Sequence, residues 1–268
     1  MTVSKIQAIR YARHERKAAE NFIGGDDHAS DMPLDYYVWA IHRDGAPPIV
    51  VDTGFGAEAA ERRGRTLLRP VDQALRAAGV DPAAVEDVIV THMHYDHAGS
   101  LDLFPRARFH LQDREMAFCT GRAMGHGVMR AAFDVEPVTQ MVRRIFADRV
   151  KFHDGSATLF EGVRVHHVGG HTAGLQIVEV ATARGTVVLA SDAAHLYANL
   201  VRRIPFPIVV DVAVYLDALD RIRAMAPSIR HIIPGHDPLV LALFPAEEGR
   251  KDVVRVDLAP LDWPEELQ

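Results

Sequence analysis

His92, His94, Asp96 and His97 stand in one string, H-x-H-x-D-H, directly after the apolar segment Val85–Val90. Residues two apart on an extended chain point the same way, so His92 and His94 can hold one cation together. Once the chain turns into a helix, Asp96 and His97 can face a second cation beside the first. Three more metal-competent groups follow. His171 lies in Gly169-Gly170-His171-Thr172-Ala173-Gly174, where glycines permit a tight loop and close backbone approach. Asp192 comes just after the apolar run Thr186–Ala190, and His236 sits in Pro234-Gly235-His236-Asp237. Singly, each later residue reads as an ordinary turn residue, and the string alone as a capped polar loop. Together they read as a metal centre. Two divalent ions about 3.5–4 Å apart share a water, lower its pKa and polarise the bond it attacks, which is the chemistry of hydrolysis.

Such a centre needs strands that end on one edge. Strands are expected at Ser4–Tyr11, Tyr36–His42 and Pro48–Val51, the last running into Asp52-Thr53-Gly54. Pro70–Ala78 has helical spacing, with Leu75 and Ala78 following Val71 at i+4 and i+7, and Gly79 stops it. Asp81-Pro82 reads as an N-cap followed by proline at the first helical position. Val85–Val90 is a β-branched buried strand that delivers the histidine string into a loop, and Ala107–Leu111 is a further strand. Gln112 to about Arg149 is mainly helical in pattern and reads as an insert or lid-like element. Strands resume at Thr158–Phe160, Val163–Val168, Leu175–Ala181 and Thr186–Ala190. Val212–Met225 reads as a helix and Arg230–Ile233 as a last strand. Two β-rich stretches, each followed by helix, imply an α/β protein built as an αββα sandwich, one domain over residues 1–268 with a helical insert at 112–149.

Composition narrows the classes. The 268 residues are 48% hydrophobic and 25% charged, the balance of a globular protein rather than a disordered one. Cys119 is the single cysteine, so an internal disulfide framework and a cysteine-cluster zinc site are both excluded. The net charge of −6 offers no basic footprint for nucleic acid or an anionic membrane. The N-terminus lacks the apolar core of a signal peptide, and no apolar run is long enough to span a bilayer. A soluble cytoplasmic protein acting on a small molecule is expected. Its oligomeric state is open, a homodimer included. Fifteen histidines are the unusual feature.

Asp52, the His92–His97 string, His171, Asp192 and His236, in that order, resemble the motifs of the metallo-β-lactamase superfamily. The resemblance covers most of the chain. It implies that His92, His94 and His171 bind one metal, that Asp96, His97 and His236 bind the other, and that Asp192 bridges both. It places Asp52 behind the ligands, buried and hydrogen-bonded to one of them or to the motif loop. The nitrogen-and-oxygen ligand set suits two zinc ions, though manganese, iron or cobalt would also be accepted.

Within the superfamily, an aspartate at the bridging position disfavours a true β-lactamase. The chain is most similar to the N-acyl homoserine lactonase branch. The shared features are Val51-Asp52-Thr53-Gly54, Ala98-Gly99 after the string, Gly-His-Thr-x-Gly around His171, Ser191-Asp192-Ala193-Ala194 and the Pro-Gly-His-Asp turn. The implied activity is opening of a lactone ring, the quorum-quenching reaction, by attack of a hydroxide shared between the metals, with Asp96 as proton shuttle. Some lactonases carry a tyrosine three residues after the bridging aspartate. Here that position is His195, with Tyr197 two residues on. Either can donate a hydrogen bond to the oxyanion, or His195 simply packs beside the metal loop. The alternatives are another lactone or ester hydrolase of a catabolic pathway and a glyoxalase-type thioester hydrolase, which would need a cationic grip.

Met124, Met129, Phe133, Met141 and Phe146 lie at helical spacing and could line an acyl pocket, although such a stripe is more often core. Asp26–Met32 and Ile204–Ile208 are candidate rim loops. His166, His167 and the remaining histidines read as structural or surface residues, and Cys119 as an unactivated thiol.

Overall fold

The computed structural model describes residues 3–267. Strands β1 (Lys5–His14), β2 (Leu34–His42), β3 (Ile49–Val51), β4 (Thr66–Leu67), β5 (Asp87–Ile89), β6 (Arg108–Gln112) and β7 (Val150–His153) belong to one sheet. A second sheet contains β8 (Ser156–Phe160), β9 (Val163–His167), β10 (Gln176–Thr182), β11 (Gly185–Ser191) and β12 (Ile232–Pro234). The chain then returns to the first sheet through β13 (Ala246–Glu247) and β14 (Arg250–Arg255), which had no sequence expectation. The strand orders are β13-β14-β1-β2-β3-β5-β6-β7, with β4 on β1, and β12-β11-β10-β9-β8.

The two sheets face each other, and the side-chain period of two decides what each face does. Along β2, Tyr37, Trp39 and Ile41 enter the core between the sheets, against Val165, Val178, Val180 and Leu189. The alternate residues Tyr36, Val38 and Ala40 enter a second core with Val71 and Leu75 of a covering helix. Strands buried on both faces read as continuous apolar runs rather than alternating ones. On the far side, Tyr215, Leu219 and Ile222 form one helical stripe packed on Val188, Ala190 and Ile232 of the second sheet. The result is an αββα sandwich of α/β class.

The helices are α1 (Ala57–Arg63), α2 (Val71–Ala77), α3 (Tyr95–Ala98), α4 (Asp113–Cys119), α5 (Gly127–Arg130), α6 (Val135–Phe146), α7 (Tyr197–Arg202), α8 (Val212–Met225) and α9 (Leu239–Leu243). Helix α8 has the expected bounds, and its start is fixed by Asp211, whose carboxylate accepts from Val214 N at 3.0 Å. The helical segment from Gln112 to Arg149 holds α4, α5 and α6 and joins β6 to β7, which pair in parallel. Parallel neighbours need such a crossover. The strand expected at Arg230–Ile233 differs: residues 229–231 form a 3-10 turn, and the strand is β12.

Strands β3, β5, β6 and β7 are parallel neighbours, as are β11 and β12. The C-terminal ends of β3, β5, β11 and β12 therefore bring Asp52, the histidine string, Asp192 and His236 to one edge. The β9–β10 loop adds His171. Among the described residues, no helix is long and apolar enough to cross a membrane.

Candidate metal centre

The string leaves β5 as extended chain and becomes α3 at Tyr95, so His92 and His94 precede the helix while Asp96 and His97 ride its only turn. His92, His94, His97, His171, Asp192 and His236 are all buried, and Asp96 is partly exposed. Three ring nitrogens converge: His171 Nε2 lies 3.2 Å from His92 Nε2 and 3.0 Å from His94 Nδ1, and the last two are 3.0 Å apart. His171 Nδ1 donates to the Ile208 carbonyl at 2.7 Å, so its Nε2 is a bare lone pair aimed at the other two rings. Nitrogens bound tetrahedrally at about 2.0–2.1 Å from zinc stand roughly 3.3 Å apart, close to this spacing.

A second group forms beside the first. His97 Nδ1 lies 2.7 Å from Asp52, and His236 Nδ1 donates to the Asp35 carbonyl at 3.1 Å. Both Nε2 atoms are thereby turned inward, toward Asp96 Oδ2 at 3.8 and 3.7 Å. Asp192 stands between the groups and divides its oxygens. Oδ1 faces His236 Nε2 at 3.0 Å and His97 Nε2 at 3.2 Å, whereas Oδ2 faces His171 Nε2 at 3.1 Å and His92 Nε2 at 3.7 Å. His97 Nε2 and Asp192 Oδ1 are buried without a hydrogen-bond partner among the described residues. Orphaned polar atoms are costly, and here they point at a shared centre. The residues fit two cations, one on each side of Asp192.

Electrostatics divide between the two groups: against burial, Asp192 foremost raises His97 and His236, a positive charge that a bound cation would replace. Burial pushes the charged forms of His92 and His94 well down, and neighbouring histidines add to the effect, so both rings stay neutral as ligands must. Burial alone would raise the Asp192 carboxyl, but His195, His97, His236 and His171 hold it well below the usual carboxylate range.

Asp52 lies under the string. Its carboxylate accepts from Thr91 N at 2.8 Å and Thr91 Oγ1 at 2.9 Å in addition to contacting His97. Asp52 and Ser191 both adopt positive φ, 62° and 47°, each at the end of a strand that delivers a site residue. Such backbone costs of order 1–3 kcal/mol and persists only where its surroundings hold it. They do so here through Thr91, which bonds Asp52 and also receives Ser191 Oγ at 2.9 Å.

Asp192 is what decides the family, because its two oxygens serve two separate histidine groups at the edge of an αββα sandwich. The metallo-β-lactamase superfamily profile matches residues 32–236. The chain belongs to this superfamily. As a superfamily member it is a metal-dependent hydrolase. N-acyl homoserine lactonase AttM of Azorhizobium caulinodans is 27% identical over 183 residues, 66% of this chain and 68% of the relative. A solved N-acyl homoserine lactone hydrolase with N-hexanoyl-L-homoserine at its catalytic metal centre superposes with a TM-score of 0.72 at 22% identity, covering 90% of this chain and 96% of that one. AidC, a dizinc quorum-quenching lactonase, gives 0.70 at 16% identity, covering 89% and 90%.

The metallo-β-lactamase motifs leave two positions to settle. Tyr197 is not at the site. Asp237 captures its backbone N at 2.7 Å as α7 begins, its hydroxyl donates to the Ile232 carbonyl at 3.0 Å, and its ring meets Trp263. That anchoring turns the phenol into the core, away from the ligands. His195 does line the cavity, but its Nε2 faces Asp192 Oδ2 at 3.0 Å and its ring stacks on Phe206 at 3.8 Å. Burial pushes its pKa down to about 3.

Several residues had no sequence signal. Glu115, buried on α4, accepts from Met93 N at 2.8 Å, Thr172 Oγ1 at 2.6 Å and Gly174 N at 3.0 Å. It ties the His92–His94 strand end to the His171 loop. Gly174 is required there, since a Cβ would lie 2.0 Å from Glu115 N. Tyr36, Tyr95, Arg16 and Arg65 line the cavity with His94, Asp96 and Asp192. From the methionine stripe, Met129 and Phe133 line an adjoining groove of about 340 Å³ with Val128, Pro207 and Val209. Met141 is core instead, Met124 packs against that core, and Phe146 is 87% exposed.

Proposed function

We propose that the chain opens lactone rings, N-acyl homoserine lactones first among them. The observation that carries the reading is the divided Asp192 carboxylate beneath a cavity that continues into an apolar groove. His92, His94 and His171 would hold one ion, Asp96, His97 and His236 the other, and Asp192 both. Two bound divalent ions supply a water of lowered pKa and polarise the carbonyl under attack.

The chain's own residues supply the rest. Asp52 fixes the His97 ring so that Nε2 faces inward. His195 donates from Nε2 to Asp192 Oδ2 and holds that carboxylate in place, which leaves the bare Nδ1 unable to stabilise an oxyanion. Tyr36 and Tyr95 present hydroxyls to substrate oxygens. Asp96, the one partly exposed member of the set, would take the proton of the attacking water on the oxygen that does not face His97 and His236 and pass it to the departing ring oxygen. The groove lined by Met129, Phe133 and Val209 takes the acyl chain. Zinc-loaded protein assayed against N-hexanoyl homoserine lactone, S-lactoylglutathione and a cephalosporin should open the lactone fastest. Thioester cleavage without lactone opening would overturn the reading.

A further inference from the structure

Two guanidiniums at the cavity have no carboxylate. Arg16 and Arg65, both partly buried, line the space that exposes Asp96, Asp192 and His236. Arg16 donates from Nε to Asn21 Oδ1 at 2.7 Å and from Nη2 to the Glu20 carbonyl, and lies over the Phe206 ring. Arg65 donates from Nε to the Tyr95 hydroxyl at 3.0 Å and from Nη1 to the Arg63 carbonyl, with His14 Nε2 at 3.0 Å. Every one of these partners is a neutral acceptor. Neighbouring arginines differ: Arg10 pairs with Asp35 and Asp252, Arg63 with Asp134, and Arg203 with Asp220.

A partly desolvated cation without a counter-charge is unfavourable unless something supplies one. The neutral acceptors orient each fork, and the carboxylates of Glu20 near Arg16 and Asp96 near Arg65 act at a distance, without forming an ion pair. The nearby acids are committed elsewhere: Glu20 accepts from Lys17 N at 2.7 Å, and Asp96 faces His97 and His236. Burial lowers Arg16 from its ordinary value against the pull of Glu20, and the charge of Arg65 acts with burial. Arg65 itself is raised against burial by Tyr36, Tyr95 and Asp96, so the two guanidiniums share one region of the cavity. Among the described residues, Arg16 Nη1 and Arg65 Nη2 remain without a partner. Two free N–H groups on residues lining one cavity can serve the two oxygens of a planar carboxylate.

We propose that Arg16 and Arg65 hold a carboxylate on the substrate, so that a lactone bearing an acid group as well as its ring ester is opened faster than the same ring without one. The inference rests on the lactone-opening reading and specifies its substrate class. Neutral acyl lactones would use the apolar groove and leave the arginine pair unfilled.

The test compares γ-butyrolactone with 5-oxotetrahydrofuran-2-carboxylate, which differ only in the acid group, on zinc-loaded protein. The carboxylated ring should show a kcat/KM about tenfold higher or more, since charge-assisted hydrogen bonds are the strong ones. Arg16→Gln and Arg65→Gln should bring that ratio toward one, and Arg65→Lys should restore part of it. A second readout needs no metal. Glutarate should bind the metal-free protein in calorimetry, weaken with added salt, and fail to bind Arg16→Gln/Arg65→Gln. Equal cleavage of the two rings, with a ratio the variants do not change, would overturn the grip and leave lactone opening standing. Glutarate binding lost in the double variant, with no lactone opened, would support the grip and overturn the lactone reading. Inorganic phosphate binding more tightly than glutarate would overturn the carboxylate assignment.

Discussion

The two halves of the sandwich deliver their ligand-type residues by opposite means. The first sheet presents His92, His94, Asp96 and His97 from one strand end and the turn of helix after it, held from beneath by Asp52. The second half presents His171, Asp192 and His236 from three separate loops, each fixed by a contact distant in sequence. His171 leans on the Ile208 carbonyl, Asp192 follows Ser191, whose Oγ donates to Thr91, and His236 leans on the Asp35 carbonyl. A contiguous string can share its supports, Asp52 behind it and Glu115 on Met93 N, whereas a dispersed set needs a separate contact for each loop. Thr91 and Glu115 are where the two designs join, through Ser191 Oγ on one side and Met93 N on the other.

That contrast can be broken at three points of decreasing severity. Asp192→Ala removes the residue serving both halves. Metal content should fall and lactone opening should drop below detection, as read by elemental analysis and a ring-opening assay. Asp52→Asn attacks the string's support from beneath and should weaken zinc affinity toward the upper part of the 10–100-fold range for such partners, measured by competition with a chelating dye. Glu115→Gln attacks the link between halves. Its amide must face a backbone N–H it cannot accept, so about 1–3 kcal/mol of stability and roughly tenfold in zinc affinity should be lost, by denaturant melts and the same competition.

The smallest effect tests a region outside the centre. His153, buried and stacked on His110, has its pKa pushed down to about 4 by burial first and by His110 second. The unfolded chain titrates near 6.5, so between these values the unfolded state binds more protons. The stability due to the neutral ring is complete above pH 6.5 and lost as pH falls toward 4. Relative to His153→Gln, the wild-type melting temperature should decline by about 2 °C more between pH 7 and 5. Equal declines would place the ring in solvent.

How much could be read from sequence follows the same division. The string was legible because its four residues are contiguous and share a strand end. His171, Asp192 and His236 were legible only as turn residues after apolar runs, and gained meaning from the string. Glu115 was not legible, since a lone acid on a helix has no local pattern and its partners lie 22 to 59 residues away. Arg16 and Arg65 were hidden likewise, because their lack of an ion-pair partner is a fact of three dimensions. The sandwich was foreseeable from strands rich in β-branched residues, but β14 was not: RKDVVR is two-thirds charged, and its pairing with β1 and β13 is what makes it a strand. Tyr197 was misplaced because an offset from Asp192 cannot reveal that Asp237 turns the helix start and sends the phenol inward.

The central claim is that one carboxylate, Asp192, organises two ions for lactone opening. Zinc titrated into chelator-stripped protein, with bound metal and opening of N-hexanoyl homoserine lactone followed together, tests it most directly. Activity should rise with bound zinc and level off at two equivalents per chain, while Asp192→Ala should bind neither ion tightly. Full activity in the stripped protein, or a plateau at one equivalent, would contradict it.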